Sequence, residues 1–256
     1  VVSIDEEAIE ASELPWDDVV DVICAGAGAG VLAHAIRCAD LDLVVDLADM
    51  ELSSQTSDPD TAAYLQSMTD DLDPGTARNL TVATVYAEPV TVTKDRKASI
   101  EPFYGSRLRD WSARCVVSPF GVIYSQIPET MTAMRTKAGE SIQAAVLGEY
   151  RPAGDRPGVE LADWLREQAR ERGFHEHAGT ALQRLIFEGG RVAGAELATP
   201  EGAQLVRANV GVALSIGPMP DPADWPVQAD LPAGPARVVV TSRTASRFGR
   251  VELLYG

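Results

Sequence analysis

Gly26, Gly28 and Gly30 fall within five residues, directly after the apolar run Val19 to Ala25 and directly before the Ala- and Leu-rich stretch Val31 to Cys38. Glycines between a strand and a helix suit dinucleotide chemistry. The first makes the turn and the second lets the backbone approach a pyrophosphate. The third lets helix and strand pack closely, while the helix N-terminus points unpaired N–H groups at the anion. An acidic side chain at the end of the next strand holds the ribose hydroxyls. Gly26 and Gly28 take the first two places of a G-x-G-x-x-G pattern, and Asp46 follows Gly26 by 20 residues. The third place falls on Val31, with Gly30 one position early. A branched side chain there crowds the helix–strand contact, so a parallel unit with a glycine turn and no ligand stands as the alternative.

Other side chains with chemical potential are less well organised. His175 and His177 would share one face of a strand as a metal pair, but no third ligand lies at useful spacing. His34 sits in the stretch after the glycine turn and reads as a helix residue. Cys24 and Cys38 read as small apolar packing residues, and Cys115 has no assigned role. Tyr104, Arg107, Arg109 and Arg114 surround Trp111; an ordinary polar surface around a tryptophan anchor accounts for them too. No nucleophile elbow, P-loop or H-E-x-x-H pattern is present. No catalytic residue can be named.

The elements that position these residues follow from periodicity and punctuation. Residues 19–25, 31–38 and 42–47 read as strand, helix and strand, a β-turn-α-β unit of parallel type. Asp58-Pro59-Asp60-Thr61 starts a helix over 62–72. Strand-like pieces follow at 81–86, 90–93, 115–117 and 122–124, then helices around 129–137 and 141–147. An amphipathic helix spans 159–172. Strands at 182–187 and 191–198 flank the Gly189-Gly190 turn, and strands at 204–207 and 210–216 come next. Residues 218–235 are Pro-rich and loop-like. Strands 237–241 and 250–255 form a last hairpin.

The chain has 256 residues and a formal net charge of −16, with 45% hydrophobic and 23% charged residues. Such a composition supports a folded core. The acidity argues against a nucleic-acid partner, which needs Lys and Arg to neutralise phosphates, and against anionic membrane surfaces. The longest uncharged run, Val22 to Ile36, is too short to span a bilayer. Three widely spaced cysteines without a C-x-x-C pair fit a reducing compartment. The expected location is cytoplasmic.

Two separated stretches resemble a known family. Residues 21–49 (DVICAGAGAGVLAHAIRCADLDLVVDLAD) and residues 158–217 are similar to the FAD-binding domain of flavoproteins that include fumarate reductase flavoprotein subunits and 3-ketosteroid dehydrogenases. In the second stretch Arg191-Val192-Ala193-Gly194 matches the family's hairpin turn. The resemblance implies FAD as cofactor, with Gly26, Gly28, Gly30 and Asp46 on its pyrophosphate and ribose. Leu182 would lie at the adenine-side strand, and Gly217 would be the first residue of a terminal Gly-Gly pair. The fold it implies is α/β: a Rossmann-like FAD-binding core with a small antiparallel sheet and an inserted α+β region. The core would comprise residues 19–75 and 158–217, the insertion 76–157, with an acidic tail at 1–18 and a loop and hairpin at 218–256. The activity it implies is hydride transfer between flavin and an activated C–C bond of a small-molecule substrate.

The departures define a second expectation. Residues 49–57 hold no glycine where the family has Gly-Gly, and the chain has Pro218 after Gly217. A non-catalytic, flavin-free relative acting as a binding or partner subunit, with a protein partner or as a homo-oligomer, accounts for both.

Overall fold

The computed structural model describes residues 15–26, 28–48, 58–70, 72, 78–90, 105–128, 130–174, 179–215 and 219–256. Its strands are β1 (Asp18–Ala25), β2 (Val45–Ala48), β3 (Thr84–Pro89), β4 (Gly121–Tyr124), β5 (Thr132–Thr136), β6 (Ser141–Tyr150), β7 (Ala181–Glu188), β8 (Arg191–Thr199), β9 (Gly202–Leu214), β10 (Ala236–Ser242) and β11 (Phe248–Tyr255). Its helices are α1 (Ala29–Ala39), α2 (Pro59–Thr69), α3 (Gly105–Val116) and α4 (Pro157–Glu171).

All these strands join one hydrogen-bonded system with two regions. In the first, β1 pairs in parallel with β2 and with β9, and β4 lies antiparallel on the far side of β9. The meander β7–β8–β9 extends the same β9. In the second region β10, β6, β5, β3 and β11 pair in that order, and β11 returns to β10. That closure makes a five-stranded barrel without a free edge. Strand β11 belongs to both regions, because it also pairs with β4.

The expected Rossmann-like α/β core is therefore corrected. The described architecture is mostly β, with a closed five-stranded barrel and four helices. Among the described residues, three strand pairs are parallel, β1–β2, β1–β9 and β11–β3. The β1–α1–β2 unit is present, but it does not set the class, because 84–89, 132–150 and 236–255 supply the barrel. The helices expected at 129–137 and 141–147 are β5 and β6 instead. Ala, Met and Gln favour helices weakly, and pairing with β3 and β10 overrides that preference. Cys115, expected in a strand, lies in the last turn of α3.

Helix α1 is the most enclosed helix. Ala29, Gly30, Val31, Ala33, His34, Ala35, Ile36, Arg37 and Cys38 are all buried. Val31, Ala35 and Cys38 pack on Val22, Cys24, Val122, Tyr124 and Ala213 of the sheet. Ala29, Ala33 and Ile36 pack towards Leu161 and Leu165 of α4 and towards Val238, Val240 and Val251 of the barrel wall. A helix apolar on most sides is a buried helix, and its small residues let both neighbours approach.

Candidate functional site: the glycine turn

Strand β1 ends at Ala25, and Gly26 turns the chain at φ +124°, a backbone conformation that suits glycine. The Gly26 amide donates to Ala48 O at 2.9 Å, so the turn starts level with the end of β2. On the other side, the Ser215 amide donates to Ala25 O at 3.1 Å. The residue after β9 thus lies directly beside the turn.

Each glycine of the motif faces atoms of the chain itself. A Cβ on Gly26 would strike the Ser215 side chain. One on Gly28 would come within 2.7 Å of Ser215 Cβ and Oγ and 3.1 Å of Pro119 O. One on Gly30 would collide with the Phe120–Gly121 backbone. The Gly28 amide donates to Ser215 Oγ at 2.9 Å, in a buried hydrogen bond. The Gly30 amide points to Pro119 O at 3.4 Å. Ser215 itself is only 4% exposed.

These contacts test the cofactor that the resemblance implies. A diphosphate needs the Gly28 side of the turn open and its amide available. Here Ser215 fills that side and accepts the amide hydrogen. At Gly28 the Ser215 side chain takes the place that the pyrophosphate of FAD would need.

Of the remaining expected site residues, Asp46 and Leu182 fall among the described ones. Asp46 is half-buried and pairs with Ile23, two rungs before the Ala25–Ala48 pair that borders the turn. Leu182 pairs with Leu197 in the β7–β8 ladder and lies in an apolar cluster with Ala25, Ala48 and Leu214. Gly217 lies outside the described residues, as do His175, His177 and 49–57. The structure thus brings Gly26, Gly28 and Gly30 together with Ser215, a residue sequence reasoning passed over. The one available signal was its place at the end of the apolar run Val210–Ile216.

Val31 does not crowd the turn as its branched side chain suggested. It is 1% exposed and packs on the face formed by Cys24, Val122 and Ala213. Gly30 makes the close approach, and its neighbour is β4 rather than β1.

Polar groups near α1 are sealed. His34 sits edge-on to Tyr124 at 4.8 Å, and its Nε2 is 3.5 Å from Cys38 Sγ. Burial lowers the His34 pKa to about 3, assisted by the Arg37 charge, so the ring is neutral at pH 7. Burial pushes the Cys38 thiol up to about 11 and also raises Cys24 and Cys115. Such thiols are packing groups, not nucleophiles. Among the described residues no three His, Cys, Asp or Glu side chains converge as metal ligands. No described helix is long and apolar enough to cross a membrane.

No protein-family model matches the chain, and no curated protein sequence matches it. Among solved structures it has a distant likeness to a thioredoxin reductase from Gloeobacter violaceus, 14% identical over 79% of this chain and 75% of that chain, with a TM-score of 0.18. Likeness of that degree decides neither fold nor function.

Proposed function

We propose that this chain is a non-catalytic, flavin-free relative of the flavoproteins its sequence resembles, acting as a binding or partner subunit. One observation carries the reading: Ser215 Oγ accepts the Gly28 amide at 2.9 Å and fills the space that Gly28 leaves open. The alternative, a flavoprotein passing hydride to an activated C–C bond, needs that space and that amide for the cofactor. FAD could enter only by displacing a buried side chain and breaking its hydrogen bond, at a cost of about 1–3 kcal/mol before any contact forms. The packing of Val31 and the burial of most of α1 also fit a turn kept for structure.

The test is the visible spectrum of the purified chain, taken before and after incubation with excess FAD and removal of free flavin. A colourless protein in both cases is expected. A flavin band near one equivalent per chain overturns the proposal.

A further inference from the structure

The barrel encloses mostly apolar groups: Ala87, Met134, Ile142, Ala144, Val239 and Leu254 form one cluster, with Val85 packed on it. Alternation along β11 places Glu252 and Arg250 on the same face as Leu254. Glu252 is also paired with the inward-facing Val239. An acidic and a basic side chain therefore enter the barrel where only apolar ones are needed for packing.

Glu252 is nevertheless not sealed. It is partly exposed, although its neighbours Val251 and Leu253 are 0% exposed and Thr241 only 1%. An inward side chain on a closed barrel meets solvent only through an open end. That end carries Thr241, Arg250 and the turn after β10, and α3 leans over it through the Trp111 Nε1 hydrogen bond to Phe248 O at 3.0 Å.

Three guanidinium groups gather at this opening, graded from surface to interior. Arg114 is exposed, Arg243 is half-buried and Arg250 is 4% exposed. Arg114 and Arg243 both lie over the Trp111 ring, at 5.6 and 4.9 Å from its centre. Arg243 also pairs with Glu140 at 3.1 Å, and Arg250 donates to Thr81 O at 3.2 Å. Arg250 Nε is buried with no hydrogen-bond partner. Glu252 bonds to Thr241 Oγ1 at 3.0 Å. The opening thus holds three positive groups against Glu140 and Glu252, an excess of one positive charge in a chain of net charge −16.

We propose that this barrel mouth binds a small oxyanion, the carboxylate or phosphate group of a ligand, held by Arg114, Arg243 and Arg250 with Glu252 beneath it. Guanidinium groups suit such anions because their planar N–H forks match two oxygens at once. The unpartnered Nε of Arg250 is the buried donor that an oxyanion satisfies. Burial raises the Glu252 carboxyl above its ordinary range, while Arg250, Thr241, Arg243 and Arg114 pull it down. This site is separate from the glycine turn and does not depend on the function proposed there.

The experiment is calorimetric titration of the whole chain with inorganic phosphate and, separately, with acetate, at fixed ionic strength. Arg114→Gln and Arg243→Gln are compared with Arg166→Gln, a control on α4. Urea unfolding confirms that each variant keeps its fold. Saturable binding of at least one anion is expected, weakened tenfold or more by Arg114→Gln and by Arg243→Gln and unchanged by Arg166→Gln. Phosphate alone marks a phosphate-bearing ligand and acetate alone a carboxylate. Absence of saturable binding by either anion, or equal affinity in all variants, overturns the proposal.

Discussion

The Gly28 amide and the Ser215 hydroxyl, 187 positions apart, are joined by a buried 2.9 Å hydrogen bond. This contact ties the turn after β1 to the end of β9. It supports the proposal that the turn serves the fold rather than a diphosphate. Ser215→Ala leaves a buried N–H without an acceptor, which costs about 1–3 kcal/mol. Urea denaturation should show that loss as a lower midpoint at an unchanged slope.

Gly30 packs against the Phe120–Gly121 backbone, and backbone has no side-chain freedom with which to yield. Gly30→Ala should destabilise by about 1–3 kcal/mol, despite the better helix propensity of alanine. Gly105 starts α3 with open space where a Cβ would sit. Gly105→Ala should be neutral or stabilising by about 0.4–1 kcal/mol. Thermal melts of the two variants side by side check the contrast.

His34 makes stability depend on pH. Its pKa falls from 6.5 to about 3 on folding, because the buried ring resists protonation. The unfolded chain therefore binds the extra proton first as pH drops. The contribution is complete above pH 6.5 and is lost progressively down to about 3. Between pH 7.5 and 5.5 the loss from this one group is on the order of 1 kcal/mol. Urea unfolding at the two pH values should show it, and His34→Leu should remove it.

Thr61 links α2 to the meander. Its hydroxyl donates to Asp58 Oδ2 at 2.6 Å and accepts the Leu185 amide at 2.8 Å, and the residue is 0% exposed. Asp58 also accepts the Thr61 amide, capping the helix. Thr61→Val removes the acceptor for a buried N–H and should cost about 1–3 kcal/mol. Asp58→Ala should cost about 0.5–2 kcal/mol. Combined, the two should sum to less than their separate losses, since they share the 2.6 Å bond.

Local pattern determined a good part of the architecture. The apolar run at 19–25, the Ala-rich stretch after the glycines and the Gly189-Gly190 turn were legible because each depends on neighbours a few residues away. They became β1, α1 and the β7–β8 hairpin. The 159–172 helix and the final hairpin were legible for the same reason. Residues 132–136 and 141–150 were not, because their helix-like composition yields to strand partners far along the chain. Closure of the barrel is a relation between 84–89 and 236–255, and no local period encodes it.

The candidate site divides along the same line. Sequence alone determined that three glycines follow a strand and open a helix. Only the tertiary structure decided what they face, since Ser215 and the Phe120–Gly121 backbone arrive from the end of β9 and the start of β4. A glycine is a space, and the sequence cannot say what fills it. Arg243, Arg250 and Glu252 likewise carry no pattern along the chain, and Arg114 reads there only as part of a polar surface around Trp111. Alternation on β11 and the lean of α3 over the barrel bring them to one opening.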